Sequence, residues 1–170
     1  TYFDYQWYLS SNSDMTARPI FAFLLGLCNW YFGTAAWKYH LVNLALFGGS
    51  VLFFYLALRE LVSRDVALLS SLFALVYPCA SGTVFSSTMM NSNLAALFWS
   101  SASYILARDF RGKYVSAAVL LVLSSLSYES FIPLFIFNAL IILLVAKPDG
   151  QGRRRLFFDV LPVFAAIAVY

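Results

Sequence analysis

HLVNLALFGGSVLFFYLALREL, residues 40–61, is the stretch of sequence that decides the fold. Its only acidic or basic side chains besides His40 are Arg59 and Glu60 at its end. A hydrocarbon core about 30 Å thick is crossed by about 20 apolar residues in a helix, so the stretch predicts a transmembrane helix. The small residues at 48–50 predict a patch for close helix packing.

The composition of the whole chain agrees with a membrane protein. Of 170 residues, 62% are hydrophobic and 11% are charged, whereas soluble domains have about 45–50% apolar and about 25% charged residues. A soluble chain of this size has too much surface to hide that many apolar side chains. The composition therefore predicts an all-α, polytopic transmembrane helical bundle rather than a soluble domain.

Further apolar segments extend the bundle beyond residues 40–61. The stretch 114–146 would form a helix about 50 Å long, which exceeds the hydrocarbon core, so we divide it near Glu129. Ser130 as a cap and Pro133 in the first turn predict a helix restart there. The six predicted spans are 40–61, 66–84, 94–107, 114–127, 131–146 and 156–170.

The segment 19–33 is shorter than a span and predicts a helix that lies in the outer membrane interface. The polar and aromatic residues 1–18 then form an outer loop. Residues 1–170 constitute a single partial transmembrane domain, because both ends of the sequence look cut and we expect further segments beyond them. Cys28 and Cys79 lie in apolar stretches and are expected to be buried thiols.

The basic residues set the orientation of these spans. With six spans, nine of the eleven Lys and Arg residues fall on one face and two on the other. Because cytoplasmic loops are enriched in Lys and Arg, the first face is predicted to be cytoplasmic. The nine are Arg59, Arg64, Arg108, Arg111, Lys113, Lys147, Arg153, Arg154 and Arg155; the two are Arg18 and Lys38.

The opposite, extracytoplasmic face has few ionisable side chains, and these are the candidates for function. Ionisable groups at the ends of apolar segments are costly to retain without a role. With one His in the chain and no neighbouring His or Cys, the sequence indicates no zinc site. The candidates are Asp4, Asp14, Arg18, Lys38, His40 and Glu129.

An ordered series of short strings gives the chain a family resemblance. The strings are RP at 18–19, FG at 32–33, YHLVN at 39–43, and YES at 128–130 followed by Pro133. In this order and spacing, across residues 2–144, they resemble the polytopic GT-C glycosyltransferases, which include protein O-mannosyltransferases and aminoarabinose transferases. The resemblance implies a GT-C-like bundle in an inner or plasma membrane, with its site on the extracytoplasmic face.

The resemblance also implies a reaction. Members of this family transfer a sugar from a polyprenyl-phosphate donor to a protein, lipid or glycan acceptor, and an acid in the first outer loop is the base. Asp4 matches that acid, but Tyr5 follows it where the family often has a second acid. A carboxylate at Asp4 suits inverting transfer, which needs a base for the acceptor hydroxyl. A divalent metal is compatible with the family but no ligand set indicates one.

The other candidates are assigned to donor or substrate binding, each with a structural alternative. Arg18 either holds the donor phosphate or snorkels at the interface. Lys38 is a second phosphate candidate, and His40 either bonds the phosphate or orients the acidic loop. Glu129 either contacts the sugar or acceptor or pairs with Arg18 or His40. Asp14 either contributes to the site or pairs with Arg18.

Two rival functions remain open from the sequence. A lipid-linked glycan transporter or flippase would have polar groups near the membrane midplane and often internal repeats. Here the ionisable groups lie at one face and no repeat is visible, which favours the transferase. A non-catalytic membrane subunit with the same scaffold stays open because the second acid is absent. We expect lipid, donor and acceptor as partners and no nucleic acid.

Overall fold

The structure is a computed structural model, and it describes residues 18–76, 89–108 and 111–145, with side chains of the last helix described as far as Ile142. These parts of the chain are helical and contain no strand. In chain order the helices are α1 (Pro19–Phe32), α2 (Ala36–Leu61), α3 (Arg64–Val76), α4 (Met90–Ala107), α5 (Lys113–Ser127), a 3₁₀ helix (Glu129–Leu134) and α6 (Phe135–Val145).

The helix α1 has sequence signals at both of its ends. Pro19 occupies its first position, where a missing N–H costs nothing and the fixed φ suits a helix. Gly33 follows its last residue with φ of 57°, a left-handed conformation that favours glycine. The buried side of α1 carries Phe21 and Cys28, so the expected burial of the Cys28 thiol is confirmed. Cys79 lies outside the described residues.

The helix α2 is longer than the sequence predicted. It begins at Ala36 rather than His40, so that Lys38 and His40 lie in its first turns. Among the described helices, α2 is the one that is long and apolar enough to cross a membrane. Only 17% of its most apolar window is buried inside the protein. A core helix of a soluble protein would be mostly covered, so the exposed apolar sides of α2 indicate membrane association.

The other bounds agree with the sequence to different degrees. The helix α5 begins one residue before the predicted segment 114–127 and ends with it. The helix α4 begins at Met90, four residues before the predicted 94–107, so Asn91 and Asn93 are helical rather than part of a connecting segment. The described part of the predicted 66–84 is α3, which begins at Arg64. The predicted outer loop 1–18, apart from Arg18, and the segment 156–170 lie outside the described residues.

The long apolar stretch 114–146 is divided at Tyr128, whose backbone is extended. The predicted capping role of Ser130 and α-helical restart at 131 are wrong, because a 3₁₀ helix follows and has no side-chain cap. Pro133 lacks the N–H that an α-helical bond to the carbonyl of Glu129 would require, so α6 begins only at Phe135. The indole N–H of Trp99 donates to the carbonyl of Leu134 at 3.2 Å and ties this segment to α4.

The helices α2 and α4 lie side by side and run in the same direction. Asn93 Nδ2 donates to Asn43 Oδ1 at 2.7 Å near their starts, and Arg108 Nε lies 3.9 Å from Glu60 Oε1 at their ends. Between these points a Cβ added to Gly49 would lie 3.1 Å from Leu97 Cδ1. Gly49 therefore permits the close approach, whereas Gly48 has nothing within 4 Å and does not contribute to it.

The remaining helices are arranged around α4. The helix α5 runs antiparallel to it, since Ser124 Oγ near the end of α5 donates to the carbonyl of Ala95 near the start of α4 at 2.9 Å. The helix α6 runs parallel to α4, and Asn138 Nδ2 of α6 donates a hydrogen bond to Ser103 Oγ of α4 at 3.0 Å. A core cluster joins these three helices: Ala102, Leu106, Ala117, Leu121, Phe135 and Ile142.

These directions define two ends of the bundle. One end, the basic end, contains the ends of α2 and α4 and the starts of α3 and α5. The other, the junction end, contains the starts of α2 and α4 and the end of α5. There α1 is held by a cluster in which Phe21 and Cys28 pack with Met90 of α4. Five of the seven Lys and Arg residues of the described ranges lie at the basic end, and Arg18 and Lys38 lie at the junction end. The five are Arg59, Arg64, Arg108, Arg111 and Lys113.

Asn43→Ala and Asn93→Ala test the buried carboxamide pair between α2 and α4. Each variant removes one side of a hydrogen bond between side chains that are at most 3% exposed. A double-mutant cycle should give a coupling free energy of about 1 kcal/mol, measured by thermal unfolding of the full-length protein in detergent. Asn29→Ala, on the exposed side of α1, is the control and should show no coupling to Asn43→Ala. Additive effects of Asn43→Ala and Asn93→Ala would contradict the pairing.

Candidate functional site

Four of the six candidate residues fall within the described parts of the chain. Arg18 immediately precedes α1, Lys38 and His40 lie in the first turns of α2, and Glu129 begins the 3₁₀ helix. All four therefore belong to elements that meet or begin at the junction end. Asp4 and Asp14, the predicted base and its neighbour in the outer loop, lie outside the described residues.

Arg18 and Glu129 form a bidentate ion pair, although they lie 111 positions apart in the sequence. Arg18 Nε donates to Glu129 Oε2 at 3.0 Å, and Arg18 Nη2 donates to Oε1 at 2.5 Å. The Arg18 guanidinium also lies 4.7 Å from the ring centroid of Tyr128. Of the alternatives predicted for Glu129, pairing with Arg18 is the one that the structure shows. The pair fastens the start of α1 to the break between α5 and α6.

The pair is partly sheltered from solvent and holds the glutamate ionised. The side chains of Arg18 and Glu129 are 19% and 37% exposed. The hydrogen bonds from Arg18 lower the pKa of Glu129 below its ordinary value, while partial burial acts in the opposite direction. A planar guanidinium matches a carboxylate in this geometry, and the Tyr128 ring supports it from one face.

This pairing changes the role expected for Arg18. Its guanidinium was predicted to hold the donor phosphate, but Nε and Nη2 are both engaged by Glu129. A phosphate could use only the N–H groups that Glu129 leaves, so it would share the guanidinium with the carboxylate. The structure shows a positioning role for Arg18, which fixes α1 over the end of α5, and its contact with a donor phosphate stays a prediction. Tyr128, which the sequence did not single out as a site residue, is the third member of this cluster.

Lys38 and His40 lie apart from the Arg18–Glu129 pair. The 14 residues of α1, about 21 Å in length, separate Arg18 from the turn that leads to Lys38. Neither Lys38 nor His40 makes a hydrogen bond or ion pair with Glu129 within the described ranges. Lys38 Nζ instead lies 5.6 Å from the ring centroid of Phe32 and 5.7 Å from that of Trp37. His40 is exposed.

The turn between α1 and α2 is fixed by its own contacts. Tyr39 donates its hydroxyl proton to the carbonyl of Gly33 at 2.8 Å, and its ring meets that of Phe32 edge-on with centroids 6.3 Å apart. The strings FG and YHLVN therefore meet in space, because the tyrosine of one caps the glycine of the other. Asn43 of the second string serves helix packing through Asn93 rather than facing a ligand.

The described residues contain no group of three or more His, Cys, Asp and Glu side chains that would hold a metal ion. The four ionisable candidates at the junction end of the described ranges are instead one carboxylate, one guanidinium, one ammonium and one imidazole. They belong to three elements, because Lys38 and His40 are both in α2. The structure therefore divides them between the Arg18–Glu129 pair and the start of α2.

Glu129→Gln tests the ion pair through its pH dependence. The pKa of Glu129 is lowered in the folded protein, so its carboxylate stabilises the fold at pH values above 4.5, the ordinary pKa of the group. This stabilisation is lost as the pH falls below that value. The effect should be about 1 kcal/mol or less at this exposure. Thermal unfolding of the full-length protein in detergent should show a lower Tm at neutral pH and a weaker acid dependence for Glu129→Gln.

Two further variants make this measurement specific. Arg18→Gln removes the partner and should reproduce the effect of Glu129→Gln. Glu60→Gln breaks the looser contact with Arg108 and should retain the wild-type decline with acid. A wild-type Tm and pH profile in Glu129→Gln would show that the ion pair does not hold α1.

Comparisons with known proteins assign no family to this chain. No protein-family model matches it, no curated protein matches it, and no solved structure matches it. The arrangement of α1, α2 and the break at Tyr128 is therefore described from this chain's own contacts, and the GT-C resemblance stays a prediction made from short strings.

Proposed function

We propose that the chain is part of a multi-pass membrane glycosyltransferase that moves a sugar from a polyprenyl-phosphate donor to an acceptor at the extracytoplasmic face. The reaction is an inverting transfer. An acceptor hydroxyl oxygen forms a bond to the anomeric carbon, the bond from that carbon to the phosphate oxygen breaks, and polyprenyl phosphate leaves. Asp4 takes the hydroxyl proton, which makes the oxygen a better nucleophile.

The Arg18–Glu129 ion pair is the observation that carries this proposal. It links two strings of the GT-C-like series, RP at 18–19 and YES at 128–130, that are far apart in the sequence. It does so at the end of the bundle opposite the basic residues 59, 64, 108, 111 and 113. The contact brings the residue that follows the predicted outer loop, Arg18, next to the later acidic string, which is the order of strings on which the resemblance rests.

The orientation in the membrane supports the same reading. Lys and Arg are enriched in cytoplasmic loops, so the basic end faces the cytoplasm and the junction end faces outward. The exposed apolar sides of α2 and α3 then face lipid or neighbouring helices; α3 exposes Leu69 and Phe73. Polyprenyl phosphates present their phosphate at the membrane surface, which is the depth of the junction end.

A non-catalytic subunit with the same scaffold is the second candidate. It is favoured by Tyr5, which stands where the family often has a second acid. In that case the Arg18–Glu129 pair and the turn at Gly33 would maintain the shape of the scaffold without serving a reaction. The two candidates differ in whether Asp4 matters for transfer, so one variant separates them.

Asp4→Asn is the variant that tests catalysis. The full-length protein, reconstituted in liposomes, is given polyprenyl-phosphate mannose or glucose with the sugar radiolabelled, together with a membrane extract as acceptor source. Loss of the general base should lower the rate of donor consumption at least about a hundredfold. Asp65→Asn, which changes an exposed aspartate in the first turn of α3, should retain the wild-type rate.

The possible outcomes are distinct. An unchanged rate in Asp4→Asn would remove Asp4 from the role of base. A folded wild-type protein that consumes neither donor would favour the non-catalytic subunit. Equal losses in Asp4→Asn and Asp65→Asn would point to damaged folding rather than to lost chemistry.

Cysteine labelling in intact cells tests the multi-pass orientation separately. Ser130→Cys lies beside Glu129 at an exposed position and should react with a membrane-impermeant maleimide from outside. Arg111→Cys lies at the exposed start of the turn before α5 and should react only after permeabilisation. Labelling of both positions from the same side would mean that α5 does not cross the membrane, and the reverse pattern would invert the orientation.

A further inference from the structure

The junction between α1 and α2 carries an exposed patch of aromatic and cationic side chains. We call it the junction patch and define it by Trp30, Tyr31, Trp37, Lys38 and His40. Trp30, Tyr31 and Trp37 are 76%, 65% and 63% exposed. The rings of Trp30 and Tyr31 lie against each other, with their centroids 4.5 Å apart, and contiguous exposed apolar surface marks an interaction site. The patch therefore points to a surface that something covers.

Lys38 gives the patch its charge. No carboxylate of the described ranges lies within ion-pair distance of Lys38, whereas Arg18 pairs with Glu129 and Arg108 with Glu60. The ammonium is instead placed over the rings of Phe32 and Trp37 at 5.6 and 5.7 Å. The negative faces of these rings hold the cation in place without neutralising it. Lys38 is thus a positioned positive charge that can attract an anion.

We propose that the junction patch binds the phosphate of an anionic phospholipid headgroup in the surrounding bilayer. Trp and Tyr side chains favour the headgroup level because one part of the ring system is apolar and another can hydrogen-bond. Headgroup phosphates carry negative charge at that same depth, and a lysine is attracted to a membrane surface that contains anionic lipids. The combination of three open aromatic rings with one positioned ammonium fits this ligand better than a soluble anion, which would need no rings.

This inference stands apart from the proposed transferase. It concerns a lipid that is bound but not transformed, and it uses the end of α1 that lies away from the Arg18–Glu129 pair. Its consequence is mechanical: a headgroup held at the junction patch anchors the end of α1 in the membrane surface, while the ion pair anchors its start. The donor phosphate of the proposed transferase is left to the outer loop.

Native mass spectrometry of the full-length protein in detergent tests the proposal. Phosphatidylglycerol and phosphatidylcholine with identical acyl chains are titrated, and the affinity for the first bound lipid is measured for each. The wild-type protein should prefer phosphatidylglycerol. Lys38→Gln should weaken that binding about fivefold, the factor that corresponds to about 1 kcal/mol, and leave phosphatidylcholine unchanged.

Two matched variants control for charge and for position. Lys38→Arg keeps the cation and should keep the preference. Lys113→Gln removes a lysine that lies 5.2 Å from the ring of Tyr114 at the basic end and should leave the first binding event unchanged. All variants are first compared by thermal unfolding without lipid, so that a folding defect is recognised.

Each contrary result overturns the proposal in a different way. Wild-type binding in Lys38→Gln would exclude the lysine. An equal loss of both lipids would mean that Lys38 holds the phosphate common to the two headgroups and does not select the anionic lipid. A loss of lipid affinity in Lys38→Gln that is no larger than the loss in Lys113→Gln would mean that binding depends on the net charge of the protein or on the basic end. Binding of polyprenyl phosphate, but not of phosphatidylglycerol, that depends on Lys38 would assign the patch to the donor instead.

Discussion

The parallel packing of α2 against α4 is the contact on which the rest of the described structure depends. Two helices that run the same way in one chain need a return segment between them, and α3 begins that return directly after α2. The contact is fixed at its start by the Asn43–Asn93 hydrogen bond and in its middle by the absence of a side chain at Gly49. A buried carboxamide pair opposes a slip, since a shift along the helix would break the hydrogen bond between the two groups in an apolar setting. The register of α2 and α4 then decides which residues share each end of the bundle.

The second constraint is the break at Tyr128. An uninterrupted helix over 114–146 would carry Glu129 in its middle, whereas the extended backbone of Tyr128 and the 3₁₀ helix after it bring Glu129 to the end of the bundle. There it meets Arg18 at the start of α1. Pro19 is the first residue of α1, and Pro133 lies inside the 3₁₀ helix that precedes α6. The ion pair is thus a consequence of two helix boundaries, and it joins an N-terminal element to the α5–α6 hairpin.

The polar side chains of the junction end fall into two groups with α1 between them. Arg18, Tyr128 and Glu129 satisfy one another, which makes them suited to holding α1 in place. Lys38 has aromatic partners rather than an acid among the described residues, which leaves its charge available to an anion. The same residue types therefore take different roles because of their neighbours. In the proposed transferase this division assigns the chemistry to the outer loop and gives the two ends of α1 to protein and lipid contacts.

The sequence by itself determined the helical class, the membrane character and several boundaries, because these follow from local composition. Pro19 and Gly33 set the limits of α1, and the segment 114–127 agreed with α5 to one residue. It misjudged the starts of α2 and α4 by four residues each, since Lys38, Asn91 and Asn93 precede the apolar runs from which the spans were predicted. A polar side chain does not end a helix when another helix supplies its partner, as Asn43 does for Asn93. The sequence could not show which residue pairs with Glu129. A contact between residues 111 positions apart depends on how the helices pack and leaves no local pattern in the sequence. Only the tertiary structure decided that a carboxylate engages Arg18 and that no carboxylate in the described part of the chain engages Lys38.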